Sequence, residues 1–246
     1  MGLPIGLATG SIAGCTHREI PYGTEAQSAL VLPAKRKQVW AVAPAVNLSG
    51  IAAVDPLIQA DLVYQQLQQV RGLTVIPVNR VAEIYASMRI EKIASREQAE
   101  LVCDLLGCDA LVVPTVTAFD PYNPPKFGGA LQLFRKSGDY VRPAAVDPRE
   151  LVRRAAPKED QSLPGANDEA DRADNVKGVA QAAGMFDAAN GSVREAVEYY
   201  AAGRNDPVGP LGVKEYFASM DRYCGFAYYT LIRELMSKTR AMQLSS

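Results

Sequence analysis

Few residues in this 246-residue chain could do covalent or metal chemistry: four cysteines, Cys15, Cys103, Cys108 and Cys224, and one histidine, His17. A serine or cysteine nucleophile needs a base beside it, most often histidine. His17 stands next to Thr16 near Cys15, in a stretch without periodicity, and no GxSxG elbow occurs. Neither GxxxxGK[ST] nor GxGxxG occurs, so no loop is built to cradle a phosphate. Cys103 and Cys108 lack the second thiol pair or histidines that complete a zinc site. They read as core cysteines, with a disulfide as the alternative if the turn at Gly107 brings them together. Asp168-Glu169 falls in a stretch where nothing would perturb a carboxyl pKa. No catalytic, metal or cofactor-binding residue is predicted, and no cofactor is expected.

The other concentration of character is aromatic: Tyr216, Phe217, Tyr223, Phe226, Tyr228 and Tyr229 lie within one segment. The cluster reads first as core, yet one stripe cannot hold all of it. Phe217, Met220, Cys224 and Leu231 share a helical face and should pack on a sheet. Several of Tyr216, Tyr223, Tyr228 and Tyr229 should then face outward as a candidate partner surface.

The elements that must position these residues follow from periodicity. Gln38–Val46 is an apolar run of strand length, closed by the turn composition Asn47-Leu48-Ser49-Gly50. Asp55-Pro56 opens a helix with Leu57, Ile58, Leu62, Tyr64, Leu67 and Val70 as its expected buried stripe. A strand is expected at Leu73–Val78, then a helix capped by Asn79 and another capped by Ser95 and ended at Gly107. Ala110–Phe119 is a third strand, whose Pro114 suggests an edge position or a bulge. Ala130–Arg135 and Val176–Asp187 are two more. A helix capped by Ser192 and a long one over Val213–Met236 complete the set. Strands alternating with helices predict an α/β layered sandwich, with a mixed sheet of about five strands and helices packed on it.

Between roughly Lys136 and Asn175 the chain is rich in Pro, Ala, Asp, Glu and Arg, and is expected to be a disordered insertion with a short helix near Arg149–Arg154. Residues 38–246 are thus read as one α/β domain interrupted at 136–175. With 26 Lys+Arg against 27 Asp+Glu the formal net charge is −1, which removes the electrostatic case for a nucleic-acid partner. No apolar run nears the roughly 18–20 residues that span a bilayer. The tripeptides at Asn47 (NLS) and Asn190 (NGS) matter as glycosylation sites only in a secreted eukaryotic protein.

Met1–Gly14 is apolar, small and uncharged, like the apolar region and cleavage site of a secretory signal. Ile12-Ala13-Gly14-Cys15 resembles the bacterial lipobox, in which the cysteine is acylated and becomes the new N-terminus. The resemblance implies lipidation of Cys15, a membrane anchor and a tether over residues 15–37. Thr16 after the cysteine favours the outer membrane, facing the periplasm. No Lys or Arg precedes Arg18, so the basic region of a signal would have to lie upstream of Met1.

The order of elements carries a second resemblance. A strand ends in Asn47-Leu48-Ser49-Gly50, a second leads through Asn79-Arg80 into a short helix, and Leu106-Gly107-Cys108-Asp109-Ala110-Leu111-Val112-Val113 joins a helix to the third strand. Over Gln38–Phe119 this is similar to the curli-secretion lipoproteins, the lipoprotein activators of penicillin-binding proteins, and the N-terminal domain of the Tol–Pal translocation protein. It implies a non-catalytic envelope protein that binds or scaffolds another envelope protein. Nothing matches the membrane-spanning hairpins of the secretion pore. Two further readings stand beside it: a periplasmic or cytoplasmic small-ligand module using the turn after the first strand, and an enzyme with an unrecognised site. The identity of the partner and self-association into a homo-oligomer are left open.

Overall fold

The computed structural model describes residues 30–32, 34, 36–136, 179–206 and 209–244. Cys15, the signal-like segment, most of the expected tether, and the expected insertion from residue 137 onward, with its short helix, lie outside the described residues. The end of the expected tether is docked: Leu32 is buried, its N–H donates to Arg71 O (2.9 Å), and Arg71 N–H donates to Leu30 O (2.8 Å).

The fold is an α/β sandwich around a mixed six-stranded sheet. β1 (Gln38–Val42), β3 (Leu73–Ile76) and β4 (Ala110–Asp120) are parallel in the order β3-β1-β4, and two residues of β2 (Val46–Asn47) continue beside β4. β5 (Lys126–Arg135) and β6 (Val179–Asp187) extend the sheet antiparallel from β4. The expected first strand is broken between Val42 and Val46, where Pro44 falls.

That break explains Pro114, which sits not at an edge but in the central strand. Ala43 N–H donates to Val112 O and Leu48 N–H to Val116 O, both at 2.8 Å, so even-numbered positions of this stretch turn toward β1 and β2. Pro114, midway, meets the interruption, where its missing N–H disrupts no ladder. The register irregularity of β4 comes later, between Val116 and Ala118.

One face of the sheet carries the larger core. Trp40, Val42, Val112, Phe127, Leu131 and Leu133 lie there under α1 (Pro56–Gln68) and the long α6 (Met220–Leu244). The other face carries a smaller cluster, Ala41, Ala43, Leu111 and Val113 against Val81 and Tyr85 of α2 (Val78–Met88) and Val102 and Cys103 of α3 (Arg96–Leu106). α4 (Gly191–Ala201) follows β6. Its N-cap is Asn190, whose Oδ1 accepts from Ser192 N–H (3.0 Å), two residues earlier than the expected Ser192. α2 begins directly after Pro77 with no side-chain cap, so Asn79 lies inside it.

The expected helix over 213–236 is divided. A 3-10 turn (Gly212–Lys214) and α5 (Glu215–Ala218) stop at Ser219, whose backbone is extended (φ −110°, ψ 116°). Tyr223 N–H then donates to Ser219 O (3.0 Å), starting α6.

Candidate functional site

The structure turns the aromatic segment inward. Tyr223 and Tyr228 are fully buried, Tyr216 is 3% exposed and Tyr229 half-buried. This corrects the expected outward tyrosine face. Residues 223–228 are buried without interruption, because α6 packs on β5 and β6 and also against α1, α4 and α5. Cys224 and Leu231 are inside as expected, while Phe217 and Met220 only border the core.

A buried tyrosine needs a partner for its hydroxyl. Tyr228 Oη donates to Gln59 Oε1 (2.9 Å) and Tyr200 Oη to Gln66 Oε1 (3.1 Å), both glutamines on α1. Phe127 stands edge-on to Tyr228 with centroids 5.2 Å apart, and Tyr229 lies 4.9 Å from Tyr200. Burial pushes the Tyr200, Tyr223 and Tyr228 hydroxyls up from their ordinary pKa, so they stay neutral; Tyr223 Oη, unlike the other two, is buried without a hydrogen-bond partner among the described residues.

These two bonds set the rotation of α1. Of the expected stripe, Leu67 and Val70 are buried and Leu62 and Tyr64 border the core, but Leu57 and Ile58 are outside, and Gln59, Ala60 and Val63 are buried in the first turns instead. Leu57 and Ile58 are left 47% and 50% exposed, beside Leu48 (65%) and Ile51 (42%) in the preceding loop. Sequence reading placed the first two in the core and missed all four as a surface. The available signal was the competing stripe Gln59-Ala60-Val63-Leu67, which has the same helical spacing but hides behind one polar residue.

This shoulder sits at a particular place in the topology. Among the three parallel strands, the first has the second on one side and the third on the other. The strand order therefore reverses at the carboxyl end of β1, the kind of place at which open α/β sheets bind ligands. The loop from Asn47 to Asp55 lies there, and its polar side chains are bonded within it. Asn47 Oδ1 accepts from Ser49 N–H (3.0 Å) and Ser49 Oγ (2.7 Å), and Asn47 Nδ2 donates to Ile51 O (2.9 Å). Asp55 Oδ1 accepts from Leu57 N–H (2.7 Å) and Ile58 N–H (3.2 Å), so a carboxylate already occupies the start of α1. The turn that a small-ligand module would use presents an anionic cap and apolar side chains instead of an anion cradle.

A cleft of about 240 Å³ opens between β6, α4 and α6, lined among others by Met185, Tyr199, Phe226, Tyr229 and Arg233. That is below the roughly 300–1,000 Å³ of small-molecule sites. Among the described residues no three His, Cys, Asp or Glu side chains gather as metal ligands, and no helix is long and apolar enough to cross a membrane.

The Leu106–Val113 segment has a structural explanation. Gly107 adopts φ 66°, a left-handed helix end that glycine takes without a Cβ clash. Asp109 then clamps β1: its Oδ2 accepts from Val39 N–H (2.8 Å), its Oδ1 pairs with Arg36 Nη2 (2.7 Å), and its own N–H donates to Val39 O (2.7 Å). Partial burial pushes the Asp109 carboxyl up, but the Arg36 and Val39 hydrogen bonds outweigh it and hold it below the usual carboxylate range. Cys103 and Cys108 are free thiols, both buried.

No protein-family model and no curated protein sequence matches the chain. Solved structures similar to it include lipoprotein GNA1162 from Neisseria meningitidis, over 40% of this chain and 69% of that one, with 20% identity and a TM-score of 0.34. The LpoB C-terminal domain from Salmonella enterica aligns over 42% and 74%, with 10% identity and a TM-score of 0.33. The hypothetical protein CT253 from Chlamydia trachomatis aligns over 85% and 99%, with 12% identity and a TM-score of 0.35.

Proposed function

We propose that this chain is a lipid-anchored envelope protein, held through Cys15 at the outer membrane, whose α/β domain binds another envelope protein without catalysing a reaction. The carrying observation is the shoulder of Leu48, Ile51, Leu57 and Ile58, four large apolar side chains left 42–65% exposed at the sheet's switch point. Large apolar side chains left exposed this close together along the chain are what an interaction site would use. Covering it gains about 25 cal/mol per Å² removed from water. The Cys15 motif supports the anchor, and the Asn47–Asp55 loop, whose polar side chains are bonded within it while its apolar ones are exposed, favours a protein surface over a small ligand.

Two measurements test the two halves. Wild type should incorporate labelled palmitate and fractionate with membranes, and Cys15→Ser should be released without unfolding. Wild type that is soluble in its native host with Met1 retained would end the anchor. A photo-crosslinker at Leu57 should give one discrete protein adduct in intact cells, lost with Leu48→Asp and Ile58→Asp. Equal adducts in those variants would remove the shoulder as the binding surface.

A further inference from the structure

We propose that Cys103 and Cys108 form a disulfide site, closed by thiol–disulfide exchange with a disulfide donor of the glutathione class. α3 ends with Cys108 N–H donating to Cys103 O (3.0 Å) and Gly107 N–H donating to Asp104 O (3.3 Å), around the left-handed Gly107. In such a double-bonded helix end, the two residues joined by the outer hydrogen bond are also those whose side chains meet. Here both are cysteines. Their backbones are linked directly, which suits the roughly 4.4–6.8 Å Cα separation that a disulfide spans. They are 1% and 3% exposed, in the small cluster with Val81, Tyr85 and Val102, and Cys108 lies near enough to perturb the Cys103 thiol. Cys224 lies on the opposite face of the sheet and supplies an internal control.

The chemistry balances without any group the donor does not bring. One thiol loses its proton and its sulfur attacks the donor disulfide, releasing one donor thiol and leaving a mixed disulfide. The second cysteine, likewise deprotonated, attacks the bound sulfur and releases the other donor thiol. The cysteines together lose two protons and two electrons, and the donor is reduced to two thiols. The contact with Cys108 and burial push the Cys103 thiol up, so the thiolate is scarce in the folded state. Exchange therefore proceeds as the α3–β4 turn forms or while it is locally open. The bond would then staple the end of α3 to the start of the central strand. The site is independent of the lipid anchor, and its test does not involve Cys15.

The full chain carrying Cys15→Ser is unfolded in urea with reductant, then refolded with oxidised glutathione. Remaining thiols are blocked, and the chain is cut with a protease that cleaves before aspartate. Cleavage before Asp104 and Asp109 separates the two cysteines unless they are bonded. The expected result is a fragment ending at Cys103 joined to Asp104–Cys108, two hydrogen masses lighter than their sum and separated by reductant, with Cys224 blocked. Blocked Cys103 and Cys108, glutathione retained on either, or a link to Cys224 would overturn the proposal. If native circular dichroism is not regained, the same digest is read on never-unfolded protein held with the donor just below its urea transition, with the same criteria.

Discussion

The first turn of α1 and the first half of α6 exchange the roles that their compositions suggest. Leu57 and Ile58 are apolar and stand in water, whereas Tyr223 and Tyr228 carry hydroxyls and are fully buried. The two outcomes are one event. Burying Tyr228 and Tyr200 beside α1 requires acceptors, Gln59 and Gln66 supply them, and a helix that turns its glutamines inward turns the preceding Leu57-Ile58 pair outward. Hydrogen-bond satisfaction thus overrides side-chain hydrophobicity at the level of one helical turn.

The comparison breaks most visibly at Tyr228. Truncation to alanine should cost about 3–5 kcal/mol in urea unfolding, the range for large aromatic side chains in a core. A loss near 0.5 kcal/mol would mean that the residue faces water. Tyr228→Phe isolates the hydroxyl and should cost about 1–3 kcal/mol by leaving Gln59 Oε1 buried and unpaired. Coupling with Gln59→Leu in a double-mutant cycle measures the bond itself, and additive losses would sever the link between the two regions.

The smaller face of the sheet offers a matched pair of helix ends. α2 ends on Arg89 with φ 54° and α3 on Gly107 with φ 66°. Gly107→Ala should destabilise by about 1 kcal/mol, and Arg89→Gly should stabilise by about 0.5–1 kcal/mol, since only the side chain's conformational penalty differs. Thermal melts showing the same sign for both would refute this account.

Acid should act modestly through Asp109. Its folded carboxyl titrates below the ordinary value, so its contribution is present above about pH 4 and is lost as pH falls through the lower, folded pKa. With Arg36 72% exposed, the pair contributes about 1 kcal/mol or less. Urea midpoints should fall between neutrality and pH 3 less steeply in Asp109→Asn than in wild type; identical slopes would remove Asp109 from that acid response. The smallest effect is expected on the shoulder. Leu57→Ala and Ile58→Ala should each leave stability within about 0.5 kcal/mol, and losses of 2 kcal/mol would place these side chains in the core.

Much of the fold was legible in local signals. Asp55-Pro56, Ser95 and Gly107 mark helix boundaries because each meets a need of the helix terminus itself. Pro114 was legible as a ladder interruption but not as a central one, because the matching break around Pro44 belongs to a strand some seventy residues away. The Ser219 break in the last helix was written in a residue type that also occurs within helices.

The sequence by itself determined the α/β class, the order of most elements and the left-handed turn at Gly107, since periodicity, caps and glycine act within a few residues. Only the tertiary structure decided which side of α1 is inside, that the tyrosines of α6 are core, and that Cys103 and Cys108 meet in a dry cluster. Gln59 and Tyr228 are separated by 169 positions, and no local pattern encodes that a glutamine's oxygen will be the acceptor a distant buried hydroxyl requires. Apolar periodicity proposes faces for a helix, and the polar groups that must be satisfied select between them.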